Sequence, residues 1–320
     1  MPGDTTHTPP ASVEASPLPG ARAGHCRVGP HRIAYLAHNE HLLPLVDEDP
    51  DLLPLVFVQG LSMSVRFWEV AMLEPIRRRL PWYSVSLPLH FPCTYDGDPG
   101  RAELSTETFG RLLGETIRHL VGERRVRVVG HSVGAFAALA YAADYSHRCD
   151  AVMSIGGFTS GRAQGLEGKL QLLTLLGAPG RAAFLEVWRA KQRSRRFTEW
   201  VVEHYAHDVA ALRAYTPFDP TLDLVHADMQ HYELAGIYAM VRWLAEVDVA
   251  SRADEVLCPV WAVAGTHDPV VAFAHQAEYA RSLPRGELYA FEGAGHLLFA
   301  ERERRFSELL LAYARLGQTT

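Results

Sequence analysis

Lysine is nearly missing from this chain. Two lysines stand among 31 basic residues and the rest are arginine, a skew that follows from GC-rich coding and carries no chemistry. Cysteine is scarce as well. Cys26, Cys93, Cys149 and Cys258 lie far apart and form no Cys-x-x-Cys pair, so the spacing points to neither zinc nor a dithiol, and buried free thiols are expected. No apolar run approaches a membrane span, and the N-terminus lacks the charged head and apolar stretch of a secretory signal. A cytoplasmic protein is the expectation. The formal net charge of −6 argues against a nucleic-acid binder. No metal or organic cofactor is implied, and there is no internal repeat. What is present is a 320-residue chain, 48% hydrophobic, with material for a sizeable core.

The organisation reads as alternating strands and helices with one interruption. Residues 1–24 are rich in Pro, Ala, Ser, Thr and Gly and cannot bury enough apolar area to offset their ordering entropy, so a disordered tail is expected. Residues 25–37 suggest a hairpin about Gly29-Pro30, and Leu53 to Val58 a buried strand. A helix is expected from Phe67 to about Leu80, a strand from Trp82 to Leu87, a helix from Thr106 to about Val121 and a strand from Ala151 to Ile155. The alternation stops after Phe158 and resumes at Val256. The expected parts are therefore a core of residues 25–158 and 247–320, with a helical cap of residues 159–246 between them. Such alternation implies a mostly parallel sheet of eight strands covered by helices on both faces, with the cap inserted after strand 6.

Val126 to Leu139 is the most telling stretch. A β-branched strand runs into Gly130-His131-Ser132-Val133-Gly134 and then into an Ala-rich helix. This is the strand, turn and helix context of a nucleophile elbow. A serine hydroxyl is a weak nucleophile at neutral pH and needs exposure and an adjacent base. Two loops downstream supply candidates in the order acid, then histidine. Asp268 follows the apolar run Val260 to Gly265, and His296 follows Gly286 to Phe291 and a Gly-Ala-Gly turn. Both lie past strand ends, where the working residues of parallel sheets collect. His296 would shuttle the Ser132 proton, and Asp268 would orient the ring. His267 is expected at the pocket mouth and His275 at the surface.

An oxyanion hole requires two backbone N–H groups. Val133, after the nucleophile, and Leu61, in the loop after the Leu53–Val58 strand, are the candidates. Gln59, His131, Phe158, Trp243 and His267 are further candidates for the substrate pocket. The cap is rich in aromatics, which favours an apolar acyl group over a sugar. Its run Arg189-Ala190-Lys191-Gln192-Arg193-Ser194-Arg195-Arg196 reads either as a solvated helix face or as a docking patch for a phosphopantetheine carrier or coenzyme A.

Together these motifs resemble the alpha/beta-hydrolase superfamily from about His25 onward. The likeness implies the triad Ser132, Asp268 and His296 and an alpha/beta-hydrolase fold. Two loops depart from the family pattern: Gln59-Gly60 stands where His-Gly is common, and Leu87 to Pro92 replaces Asp-x-x-Gly-x-Gly. A weaker likeness links the chain to acyltransferases that join hydroxyacyl groups. The expected activity is hydrolysis of an ester, thioester or lactone with a small-molecule acyl group, free or carried on coenzyme A or a carrier protein. Acyl transfer to an alcohol, lyase or carbon–carbon cleaving chemistry on the same residues, and binding without turnover stay open, as does the oligomeric state.

Overall fold

The computed structural model describes residues 21–49 and 52–315. Most of the expected tail lies outside these residues, but its last stretch does not: β1 (Arg22–Val28) begins within it and pairs with β2 (His31–His38). Then follow β3 (Leu55–Val58), β4 (Trp82–Val85), β5 (Thr94–Tyr95), β6 (Val126–His131), β7 (Cys149–Ile155), β8 (Val260–Gly265) and β9 (Gly286–Phe291). Eight strands run in the order β1-β2-β4-β3-β6-β7-β8-β9, and the short β5 is a ninth, paired with β2. β2 is antiparallel to its neighbours β1, β4 and β5, and all other pairings are parallel.

The strand order reverses direction at β3 and β6. Crevices form at such switch points, outside the carboxyl ends of the strands. Register reinforces this. Val58 is level with Gly130, His131 with Ile155, and Gly265 with Phe291. The loops leaving β3, β6, β8 and β9 therefore emerge along one edge.

Each face of the sheet carries its own apolar core. The helix Val133–Asp144 is buried from Val133 through Ala143, which explains its small side chains: a helix buried all round must let its neighbours approach closely. Helix Thr106–Val121 packs beside it and is capped by Ser105, which accepts from Thr108 N at 3.3 Å. The helix expected over Phe67–Leu80 is instead two, Phe67–Ala71 and Glu74–Arg79. Pro75 has no N–H to donate to Ala71, and its ring clashes with that carbonyl, so the first helix stops there. Cys26, Cys149 and Cys258 are buried, Cys93 is partly so, and all are free thiols.

Between β7 and β8 the chain forms six α-helices, Gly165–Leu173, Gly177–Arg193, Arg195–Glu203, Val209–Ala214, Phe218–Met229 and Leu234–Trp243, and the 3-10 helix Ala250–Glu255. The ends of this insertion are tied together by a bridge between Ser160 and Asp248 and by Val249 N donating to Thr159 O at 2.8 Å. Phe184, Trp188, Met229 and Ile237 give it an apolar core of its own. No helix among the described residues is long and apolar enough to cross a membrane.

At the elbow turn, helix and sheet are in close backbone contact. A Cβ at Gly134 would stand 2.4 Å from Val58 O and 2.5 Å from Gln59 O, both of them backbone. Gly134→Ala is therefore expected to cost about 1–3 kcal/mol or more through overpacking. A urea-unfolding midpoint equal to that of the parent protein would show that helix and sheet are not locked at this distance.

Candidate active site

Ser132 sits between β6 and helix Val133–Asp144 with φ 54° and ψ −116°. A non-glycine residue at positive φ costs about 1–3 kcal/mol and persists only where its surroundings impose it. Here Ser132 N donates to Ile155 O at 2.8 Å, while Ser132 O accepts from Ala135 N at 2.9 Å and Phe136 N at 3.1 Å. The hydroxyl is thus presented at the N-terminal, partially positive end of a helix.

His296 and Asp268 meet as a buried pair. His296 Nδ1 donates to Asp268 Oδ2 at 2.8 Å. The carboxylate also accepts from Val270 N at 2.8 Å, Val271 N at 2.9 Å and Gln276 Nε2 at 3.0 Å. An acceptor-only partner on Nδ1 leaves Nε2 as the bare acceptor of the ring. Backbone contacts hold the ring in place: His296 N donates to Tyr205 O at 2.7 Å, and His131 Nε2 donates to His296 O at 3.2 Å. His131 is neutral, its pKa pushed down to about 3 by burial and by the neighbouring His296. Ser132 and His296 line the same cavity. No hydrogen bond joins their side chains in this structure; bonds of this kind tighten in a substrate complex.

Leu61 and Val133 line the same cavity, and among the described residues neither backbone N–H has a protein acceptor. The loop after β3 is held residue by residue. Ser62 N donates to His90 Nε2 at 3.1 Å, and His90 Nδ1 donates to Pro88 O at 3.1 Å. Ser62 Oγ accepts from Lys191 Nζ at 3.3 Å. Met63 O accepts from Tyr232 Oη at 2.9 Å, and Ser64 Oγ donates to Asp228. His90 belongs to the Leu87–Pro92 loop, so the stretch that departs from the family pattern is what positions Ser62. Burial pushes its ring down to about 4, which keeps Nε2 an acceptor.

The cavity measures about 330 Å³, within the usual range for small-molecule sites. His131 and Phe158 line it, and so does His275, which the sequence places at the surface. Three expectations are corrected. Gln59 is fully buried away from the cavity. With its amide turned to suit its surroundings it donates to Val85 O at 2.7 Å and accepts from Ser86 Oγ at 2.9 Å, so strand carbonyls and hydroxyls claim it. Trp243 donates Nε1 to Ala102 O at 3.0 Å and packs on the core. His267 is exposed and stacks on His207, centroids 4.1 Å apart.

A serine at a helix N-terminus, a carboxylate-oriented imidazole and two free N–H groups around one cavity are the parts that nucleophilic acyl chemistry needs. The family model described as alpha/beta hydrolase fold matches residues 54–303. The chain belongs to the alpha/beta hydrolase family. A relative whose name assigns it carbamate hydrolysis, RutD of Escherichia coli O17:K52:H18 (strain UMN026 / ExPEC), is 24% identical over 259 residues, covering 80% of this chain and 85% of that protein. Among solved structures, the esterase EaEST from Exiguobacterium antarcticum superposes with a TM-score of 0.69 at 13% identity, covering 92% of this chain and 100% of that one. The enol-lactonase from Burkholderia xenovorans LB400 does so with 0.67 at 15%, covering 90% and 98%. At these identities the structures speak for the fold.

In this alpha/beta hydrolase several residues that matter to the site escape a reading by motif. Gln276, one helix beyond Asp268, steadies the carboxylate. Glu301 accepts from Gly295 N at 2.9 Å, His207 N at 2.9 Å and Asp208 N at 2.7 Å, lacing the histidine loop to the insertion. Lys191 is 1% exposed, although it stands in a run that reads as basic surface. A signal existed for it: Phe184, Trp188 and Lys191 fall on one helix face at i, i+4 and i+7. Among the described residues no group of three His, Cys, Asp or Glu side chains is placed to hold a metal ion.

His90 and His131 have an acid-stability consequence. In the unfolded chain both rings take up a proton near 6.5, while in the fold they stay neutral to about 4 and about 3. Between these values the unfolded state binds more protons, so stability must fall as pH drops from 6.5 towards 4. The urea midpoint should follow, with a shallower slope in His90→Asn. A midpoint that is flat or rising in acid over that window would contradict the buried neutral rings.

Proposed function

We propose that this hydrolase cleaves an ester, thioester or lactone of a largely apolar acyl group through an acyl-enzyme on Ser132. His296 Nε2 takes the hydroxyl proton as Ser132 Oγ attacks the acyl carbon. The Leu61 and Val133 N–H groups receive the developing oxyanion. The acyl C–O or C–S bond breaks, and the leaving alcohol or thiol departs with the proton from His296. Water then attacks the acyl-enzyme with His296 again as base, releasing the acid and restoring Ser132. Asp268 keeps the ring in the tautomer this cycle needs.

The observation that carries this reading is the buried Asp268–His296 hydrogen bond, 2.8 Å long, opening on the cavity that Ser132 lines. The named activities of the relatives, on esters, an enol lactone and a carbamate, share attack on an acyl carbonyl, which agrees with it. The walls favour an apolar chain, with Val201, Leu212, Phe218, Leu222 and Val225 all lining the space. A free small molecule suits the site better than a carrier-bound thioester. Arg195 is engaged by Asp219, Asp223 and Glu199, Arg189 by Glu186, and Lys191 turns inward, which leaves Arg193 and Arg196 as the run's exposed cations outside an ion pair among the described residues.

Incubation with a fluorophosphonate should add its mass to the peptide bearing Ser132. Ser132→Ala should lose the adduct and at least about a thousandfold in kcat on a p-nitrophenyl ester. Asp268→Asn should retain Ser132 and lose on the order of ten-thousandfold in kcat through the wrong tautomer. An unlabelled Ser132, or an active Ser132→Ala, would overturn the reading.

A further inference from the structure

We propose that Lys191 is a specificity residue that pairs with a carboxylate on the substrate, so that the preferred acyl donor carries a free acid group besides its scissile carbonyl. This rests on the hydrolase reading above and narrows its substrate class.

Lys191 belongs to helix Gly177–Arg193, is 1% exposed and lines the cavity. An ammonium out of water is costly unless it is paired. Among the described residues no carboxylate lies within ion-pair distance of it. Its contacts are Ser62 Oγ at 3.3 Å and the face of Trp188, whose centroid is 4.0 Å from Nζ. An ammonium has three donors, and Ser62 takes one. Desolvation draws its pKa down, and Glu167 acts in the opposite direction. Glu167 itself is turned to the Tyr205 hydroxyl, which donates to it.

The cavity as a whole is biased the same way. Its charged lining residues are Lys191, Arg162 and Glu167, one positive charge in excess, within a chain whose formal charge is −6. Arg162 is exposed and borders the cavity, and Lys191 lies buried beside the β3 loop. A low-dielectric cleft of one sign concentrates ligands of the other. Apolar walls with one buried cation select a chain that is greasy along its length and anionic at one point. Since Ser62 adjoins Leu61, that point lies on the side of the cavity where the acyl carbonyl is received.

The test compares two p-nitrophenyl esters of equal chain length, the mono-ester of glutaric acid with its free carboxylate and the ester of pentanoic acid. The readout is the ratio of their kcat/KM values within each protein. The parent enzyme should favour the acid-bearing ester by about tenfold or more, the range of a charge-assisted hydrogen bond. Lys191→Met and Lys191→Gln should each bring the ratio close to one or below it. Two substitutions of different polarity guard against one that fails to fold, and fluorophosphonate labelling of Ser132 in each reports an intact site. A parent enzyme that turns over both esters without preference, or variants that keep the preference, would refute the role of Lys191 and leave the hydrolase reading standing. Absence of both turnover and labelling in the parent enzyme would bring down the hydrolase reading, and this proposal with it.

Discussion

The strained backbone at Ser132 is the constraint on which the rest of the site depends. A strand buried on both faces must turn into a helix within one residue, and that residue takes φ 54°. Such a turn closes only if strand and helix nearly touch. A Cβ at Gly130 would stand 2.4 Å from Gly134 O, and one at Gly134 would meet the end of β3. The close contact presents the serine hydroxyl outside the sheet and sets the Val133 N–H beside it. Because β3 is the strand touched, the same contact fixes where its loop, and hence the Leu61 N–H, must lie.

Many of the hydrogen bonds around that point cross element boundaries. Buried polar atoms must find partners, and here the partners belong to different parts of the chain. His90 from the loop after β4, Lys191, Asp228 and Tyr232 from the helical insertion all bond the loop after β3. On the other side Glu301 and Tyr205 join the histidine loop to the insertion. The insertion is therefore part of what positions both the candidate oxyanion donors and the candidate base. Substrate contact with these helices bears directly on the reacting groups.

The motif residues were legible because their chemistry depends on local pattern. A β-branched run, two glycines about a serine and a small-residue helix leave one turn geometry, and Asp268 and His296 were placed by the rule that functional loops leave carboxyl ends of parallel strands. Positions whose role depends on which neighbour claims a hydrogen bond were not legible. Gln59 follows β3 as a pocket residue would, yet Ser86 and the backbone at Val85 bind its amide. Trp243 is an insertion aromatic like those that line the cavity, yet Ala102 O holds its indole. His267 is next to Asp268 in sequence, but its side chain is exposed and stacks on His207.

By itself the sequence determined the alternation of strands and helices, the site of the helical insertion and the three loops that carry Ser132, Asp268 and His296, since each of these follows from periodicity or from turn chemistry within a dozen residues. The tertiary structure alone decided that Lys191 bonds Ser62, that His90 holds Ser62 and that Glu301 ties the histidine loop to the insertion. Apart from the Glu301 bond to Gly295, six positions away, these are contacts between residues tens to more than a hundred positions apart, and their energies depend on burial and on which donors and acceptors remain unpaired once the chain has closed. No local pattern contains that information.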